Sequence, residues 1–240
     1  MILMYDGSFE GFLCCVHEVY KRKLVPVGIE RAGGSSLFAG ELIVRDDEKA
    51  KIVARSVIDR MGGKVFTTLR YAFWSERRGV ELNMLEFMRI GYKYGGKVLE
   101  MLSEPCVNFV MRSGRETSRE NVKYMGFLRF SVYEGVMFAT LRPKANITYL
   151  LAAHFKTRFP SERFVIYDRV RRLGCIYAAG KLTFSENVEL DLPQSDDDEQ
   201  MYRELFKAFC HNVAIKERKN PQAQMAHMPL RYRKDMVEFE

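Results

Sequence analysis

Charged side chains able to act together gather in the second half of the chain. Glu120 stands one helical turn before Lys123, and Arg129 follows in an alternating apolar run. A buried arginine requires a carboxylate partner. Glu120, Lys123 and Arg129 therefore form either one buried ion network or one anion-binding site. Asp168 closes the run Phe164–Asp168, and Arg171 follows three residues later. That is where sites of α/β proteins often sit, but an aspartate that caps a turn is the commoner reading. The tail offers Glu217, Arg218, Asn220, Gln224 and Arg231, stiffened by Pro221 and Pro229, with Met225, Met228 and Tyr232 as apolar docking surface. In such a set a carboxylate serves as general base and arginines clamp phosphate. Alternatively, the same groups are ion pairs that lock the tail onto the body.

Other chemistries find little support. The cysteines (Cys14, Cys15, Cys106, Cys175 and Cys210) are odd in number and contain no C-x-x-C. This argues against a disulfide framework, a zinc knuckle or an iron–sulfur cluster and for inert thiols in a reducing cytosol. His17, His154, His211 and His227 have no metal-ligand spacing. Dinucleotide and NTPase glycine loops are also missing, so no cofactor and no metal are expected. The start, MILMYDGSFEGF, lacks a basic region, and no apolar run is long enough to cross a bilayer. A cytoplasmic protein without a membrane partner is expected.

The chain has 240 residues, a formal charge of +7 and a pI near 9.1, which favours polyanionic partners. Phe109–Lys181 carries 14 Lys or Arg against 5 Asp or Glu, while Leu182–Glu204 carries 1 Arg against 8 Asp or Glu. The basic segment interleaves aromatics such as Phe127, Phe130, Tyr133 and Tyr149, a mixture suited to phosphate contact and base stacking. Core aromatics with wet basic faces are the more ordinary account of any single ring.

Periodicity supplies the elements that would position these groups. A strand over Ile2–Tyr5 leads into a helix capped by Ser8. Helices are expected from Asp46 or Asp47 to Met61, around Thr67–Arg77, Glu81–Tyr94 and Lys97–Leu102, and from Pro105 to Met125. Val25–Gly40 reads as loop and Leu42–Val44 as a strand. The pattern then changes: Phe127–Tyr133 alternates as a strand, turns at Glu134-Gly135, and returns over Val136–Leu141. A helix over Asn146–Arg158, strands over Phe164–Asp168 and Cys175–Ala178, and a helix over Met201–Lys216 follow. The last places Met201, Leu205, Phe209 and Val213 on one stripe. The expected class is α+β, with a helix-rich N-terminal half, a mainly antiparallel small sheet with flanking helices, and a C-terminal helix and tail packed back on the body. The expected organisation is an α+β body over 1–190, an acidic linker over 191–199, and a helix with docking tail over 200–240.

Several segments together resemble a bacterial family of uncharacterised proteins described as DNA metabolism or DNA repair proteins. They are Tyr5-Asp6-Gly7-Ser8-Phe9-Glu10-Gly11-Phe12, Gly126–Phe130, His154-Phe155-x-x-Arg158, Ile166-Tyr167-Asp168-x-x-Arg171, Lys216-Glu217-Arg218-x-Asn220-Pro221-x-x-Gln224 and Met228-Pro229-x-Arg231-Tyr232. Members are encoded beside a radical SAM protein with a helix-hairpin-helix motif, and some are fused to a uracil-DNA-glycosylase-like domain. Arg233 stands where the family has Trp, and Lys123 where it tends to have Arg. The resemblance adds Asp6 and Arg158 to the candidate ligand-binding residues. It implies a DNA-associated accessory protein with DNA and the radical SAM protein as partners. The alternatives are an enzyme acting on a nucleotide or damaged base through a Glu/Asp/Arg pocket, and a purely structural adaptor. The last arrangement expected is Glu217 and Arg218 meeting Arg129 or Asp168.

Overall fold

Asp6 and Gly11 show how local chemistry starts the chain's first helix. In the computed structural model, Asp6 Oδ1 accepts hydrogen bonds from Ser8 N at 3.0 Å and Ser8 Oγ at 2.6 Å. Ser8 Oγ in turn accepts from Gly11 N at 2.9 Å. A Cβ built on Gly11 would fall on Asp6 Oδ1. The glycine is therefore what lets the carboxylate sit over the first turn of α1, Phe9–Arg22. The structure describes residues 1–33, 40–189, 197–213, 218, 220–234 and 236–239.

The chain divides into two compact units, Met1–Arg119 and Glu120–Glu240. The division falls inside one helix, α5 at Pro105–Phe127, where no composition shift marks it. In the first unit, β1 (Ile2–Tyr5) pairs in parallel with β2 (Gly28–Arg31) and β3 (Glu41–Leu42), in the order β2-β1-β3. The helices here are α1, α2 (Asp47–Met61), α3 (Gly63–Phe73) and α4 (Val80–Tyr94), followed by a 3-10 turn at Gly95–Glu100. Asp46 caps α2 by accepting from Glu48 N and Lys49 N. Their apolar stripes converge on Tyr5, Phe12, Phe73, Phe87 and Leu69, all fully buried. Tyr5 Oη donates to Glu81 Oε1 at 2.8 Å, and burial beside that carboxylate pushes the phenol well above its ordinary range.

The second unit holds a five-stranded sheet in the order β4-β5-β6-β7-β8. Its strands are β4 (Ser131–Tyr133), β5 (Val136–Leu141), β6 (Phe164–Asp168), β7 (Leu173–Ala178) and β8 (Lys181–Ser185). Glu134 and Gly135 both take positive φ, as a two-residue hairpin turn requires. Helix α6 (Thr148–Arg158) links β5 to β6, the parallel pair of this otherwise antiparallel sheet. Ala139, Leu141, Phe164, Ile166, Cys175 and Tyr177 join Leu151, Ala152 and Phe155 of α6 in one core. The chain then runs through α7 (Asp197–Val213), α8 (Pro221–His227), α9 (Leu230–Arg233) and a 3-10 turn at Val237–Phe239. Tyr232, Met236 and Val237 are buried, so the C-terminal residues pack into this unit.

The α+β class holds, with corrections inside it. Phe127 ends α5 and β4 starts only at Ser131, so Arg129 lies in the connection between them rather than on a strand. The alternation Phe127–Tyr133 also satisfies a helix end packed against a hairpin, and Leu128 N still bonds Tyr124 O at 2.9 Å. Gly28–Arg31 is a strand inside the expected loop Val25–Gly40, and β8 has no visible signal in the pattern. Residues 191–196 of the acidic linker lie outside the described residues, as do Lys216 and Glu217. Among the described residues no helix is long and apolar enough to cross a membrane.

Replacing Gly11 by alanine should drive the methyl group into the Asp6 carboxylate and break its bonds to Ser8. Urea denaturation should show a loss of about 1–2 kcal/mol. An Asp6→Ala/Gly11→Ala double variant should lose less than the two single losses added together.

Candidate functional site

Three of the expected site residues meet around a single loop. Arg142–Ile147 leaves the C-terminal end of β5 and enters α6. Glu120, 5% exposed, accepts from Lys144 N through Oε1 at 3.1 Å and from Ala145 N through Oε2 at 2.8 Å. Arg171 holds the loop through its carbonyls: Nη1 donates to Pro143 O at 3.2 Å and Nη2 to Lys144 O at 2.7 Å. Arg171 Nη1 also reaches Asp168 Oδ2 at 3.0 Å. Asp168 is fully buried, and its other oxygen accepts from Val170 N and Arg171 N. Glu120, Asp168 and Arg171 therefore converge on peptide groups, not on an open cleft.

The tail joins this clamp through Arg231, whose Nη1 lies 3.1 Å from Glu120 Oε1. Its guanidinium covers the Tyr232 ring at 4.4 Å and bonds the Tyr232 hydroxyl. Tyr232 in turn packs edge-on against Tyr124 and Phe127, with Lys123 Nζ at 5.4 Å from its ring. Lys123 is thus a cation over an aromatic face, not a member of an ion network with Glu120 and Arg129. Arg233, where the resembled family has Trp, covers the Phe239 ring at 4.6 Å.

The remaining candidates scatter. Arg129 pairs with Glu238 at 2.6 Å and donates to Gly126 O at 2.9 Å. Arg158 is exposed and lies over its neighbour Phe159. Asn220 caps α8 by accepting from Ala223 N, and Gln224 and Arg218 are exposed. Asp6 belongs to the first unit and serves the α1 turn. The meeting of Glu217 and Arg218 with Arg129 or Asp168 is not the pairing found for the described residues: Arg129 turns to Glu238 and Asp168 to Arg171, while Glu217 lies outside the described residues.

A different face of the same sheet holds a concave cationic surface. Phe138, Thr140 and Arg142 alternate away from the α6 side, and the register Leu141↔Asp168 sets Arg142 beside Arg169. With Arg129, Ser131, Tyr133, Arg203, Lys234 and Val237 they line a hollow of about 270 Å³. Among the described residues that line it, five are cations and none is an acid. Glu238 and Glu199 compensate Arg129 and Arg203 from the flank. Arg169 and Lys234 meet no carboxylate among the described residues. Sequence reasoning misses Arg142, Arg169, Arg203 and Lys234 because no motif joins them; only their shared sheet face does.

A larger hollow, about 460 Å³, opens in the first unit between α3 and α5, lined by Lys64, Thr67, Tyr71, Arg115, Ser118 and Arg119 among others. Its described lining too carries cations and hydroxyls and no acid. Thiol chemistry has poor prospects: burial pushes Cys15 and Cys175 up to about 12. Among the described residues no cluster of His, Cys, Asp or Glu could hold a metal.

A family profile described as a domain of unknown function (DUF4130) matches residues 78–238. That span covers the end of the first unit and nearly all of the second. No curated protein and no solved structure matches the chain.

Two outcomes follow from this geometry. Glu120→Ala strips the acceptor from two buried N–H groups and a guanidinium. It should cost about 2–4 kcal/mol in urea denaturation of the second unit. Burial also pushes the Asp168 carboxyl above the usual range, against the pull of Arg171 and two N–H groups. A raised folded value contributes stability at low pH that is lost as pH rises through it. The stability of the wild type relative to Asp168→Asn should therefore fall as pH rises through and above the ordinary aspartate range.

Proposed function

We propose, for a chain that belongs to the family described as domain of unknown function DUF4130, that it binds the phosphate backbone of nucleic acid as an accessory protein. The observation that carries this is the hollow lined by Arg129, Arg142, Arg169, Arg203 and Lys234, with no acid among its described lining residues. Guanidinium groups suit phosphate because their planar fork matches two oxygens at once. Tyr133 and Phe138 line the same hollow and offer rings beside it, 6.4 Å apart and edge-on. A ring of this kind stacks on a base without regard to its identity.

The overall charge of +7 supports the same reading, since it favours encounter with a polyanion. The family resemblance supports DNA as that polyanion, and a radical SAM protein with a helix-hairpin-helix motif as the partner. An enzyme acting on a damaged base is the second reading. It draws no support from Glu120 and Asp168, whose oxygens are taken up by main-chain N–H groups and guanidinium groups.

Fluorescence anisotropy with single- and double-stranded DNA tests the proposal. Binding should weaken steeply with salt. An Arg169→Ala/Lys234→Ala variant should fold normally and reduce the slope of log K against log salt for duplex by roughly 1.8, about 0.9 for each phosphate left without its cation. Absence of binding at low salt, both alone and with the radical SAM partner, would sink the proposal. So would a variant that binds as the wild type does.

A further inference from the structure

The hollow between α3 and α5 in the first unit gathers charge that the protein leaves unanswered. Lys64, Thr67 and Tyr71 line it from one face of α3, and Arg115, Ser118 and Arg119 from one face of α5. Gly114 brings the two faces together, because a Cβ there would stand only 3.0 Å from Thr68 O. Elsewhere in this unit exposed cations find acids: Arg22 pairs with Glu41, Arg45 with Asp47 and Lys51 with Glu48. Lys64, Arg115 and Arg119 are exposed and meet no carboxylate among the described residues. The reason lies in the sequence. Helix α3 contains no Asp or Glu. Helix α5 contains two acids, and both are spent: Glu116 on Arg77 and Arg112, Glu120 on two loop N–H groups and Arg231. Arg115 and Arg119 stand four apart and repel on the helix surface. Lys64 stands in the first turn of α3, at the positive end of its dipole. Each placement costs a little folding stability, and one anion in the hollow would offset all three.

We propose that this hollow binds a nucleoside triphosphate, its phosphates on Lys64, Arg115 and Arg119 and its base against the Tyr71 ring. Size favours a small ligand. About 460 Å³ lies within the roughly 300–1,000 Å³ of small-molecule sites, whereas the hollow of the second unit, at about 270 Å³, lies below it. Charge favours several phosphates on one group. A phosphate monoester carries about two negative charges, fewer than three surrounding cations can answer. Nucleic acid strings single charges along its length, which suits a stripe of cations; a hollow suits charge gathered in one place. Thr67 and Ser118 spend their hydroxyls on no protein group among the described residues and can donate to phosphate oxygens. Tyr71 is half-buried, with Met111 beside it in the lining, and a ring so placed stacks on a base whatever its identity. The inference goes beyond the nucleic-acid proposal and shares no residue with the hollow on which that proposal rests.

Isothermal titration calorimetry of the full chain with ATP, inorganic tripolyphosphate and adenosine, in magnesium-free buffer, tests the site. ATP should bind one to one, tripolyphosphate about tenfold more weakly, and adenosine not at all over the same concentrations. Arg115→Ala/Arg119→Ala should weaken ATP and tripolyphosphate by about a hundredfold, roughly tenfold for each charge-assisted contact. Its melting curve should match the wild type, because neither side chain has a partner to lose. Tyr71→Ala should abolish the advantage of ATP over tripolyphosphate. Arg169→Ala/Lys234→Ala, in the other hollow, should leave ATP affinity unchanged, whether or not it affects DNA. No heat with ATP, or an affinity that survives Arg115→Ala/Arg119→Ala, would overturn the inference. So would loss of ATP binding in Arg169→Ala/Lys234→Ala. A wild type that ignores ATP while Arg115→Ala/Arg119→Ala weakens duplex DNA would overturn it too, and would assign the hollow to the nucleic-acid backbone.

Discussion

The carboxylate of Glu120 is the group on which the second unit depends. It reaches across from α5 and takes the N–H groups of Lys144 and Ala145, while Arg171 takes the carbonyls of Pro143 and Lys144 on the same stretch. A short loop that leaves a parallel strand exposes peptide groups that no ladder can satisfy. Here every named group has a charged partner, and charge-assisted bonds are the stronger kind. The clamp therefore sets where β5 ends, where α6 begins, and how Arg142 and Arg169 emerge beside one another. Through Arg231 it also ties the tail to the same carboxylate.

Burial sorts the charges of this unit into two populations. Glu120 and Asp168 are buried and answered by N–H groups and guanidinium groups. Such residues hold structure, and removing one partner costs more than the pair contributes. On the opposite sheet face, Arg169 and Lys234 are exposed, and ion pairs there would contribute little to folding. Concentrating them there has a small structural benefit and an electrostatic cost. An anion in the hollow would relieve that cost, whereas the clamp has its charges already answered. The two faces share strands β5 and β6, so the buried set positions the exposed one.

Parts of this arrangement are legible in the residues. The Ser8 cap, the run Phe164–Asp168 and the turn at Glu134-Gly135 follow local rules and stand where those rules put them. Glu120, Asp168 and Arg171 can be singled out because a carboxylate or arginine among apolar neighbours requires a partner. Their partners cannot be read, since main-chain groups of a loop leave no signature in sequence. Gly28–Arg31 escapes notice because four residues with one buried side chain show no period. The α7 stripe is visible, but periodicity states only that a face is apolar. Which way it turns depends on Glu199 and Arg203 finding the edge of β4, about 70 residues away in sequence.

Hydrogen exchange at Lys144 and Ala145 tests the clamp most directly. In the wild type both amides should exchange as slowly as the core strands β5 and β6, although they lie in a loop. In a Glu120→Gln variant, compared under conditions where the unit remains folded, exchange at these two amides should accelerate far more than in the strands. Fast exchange in the wild type, or rates at the two amides that do not respond to loss of the carboxylate, would contradict the account.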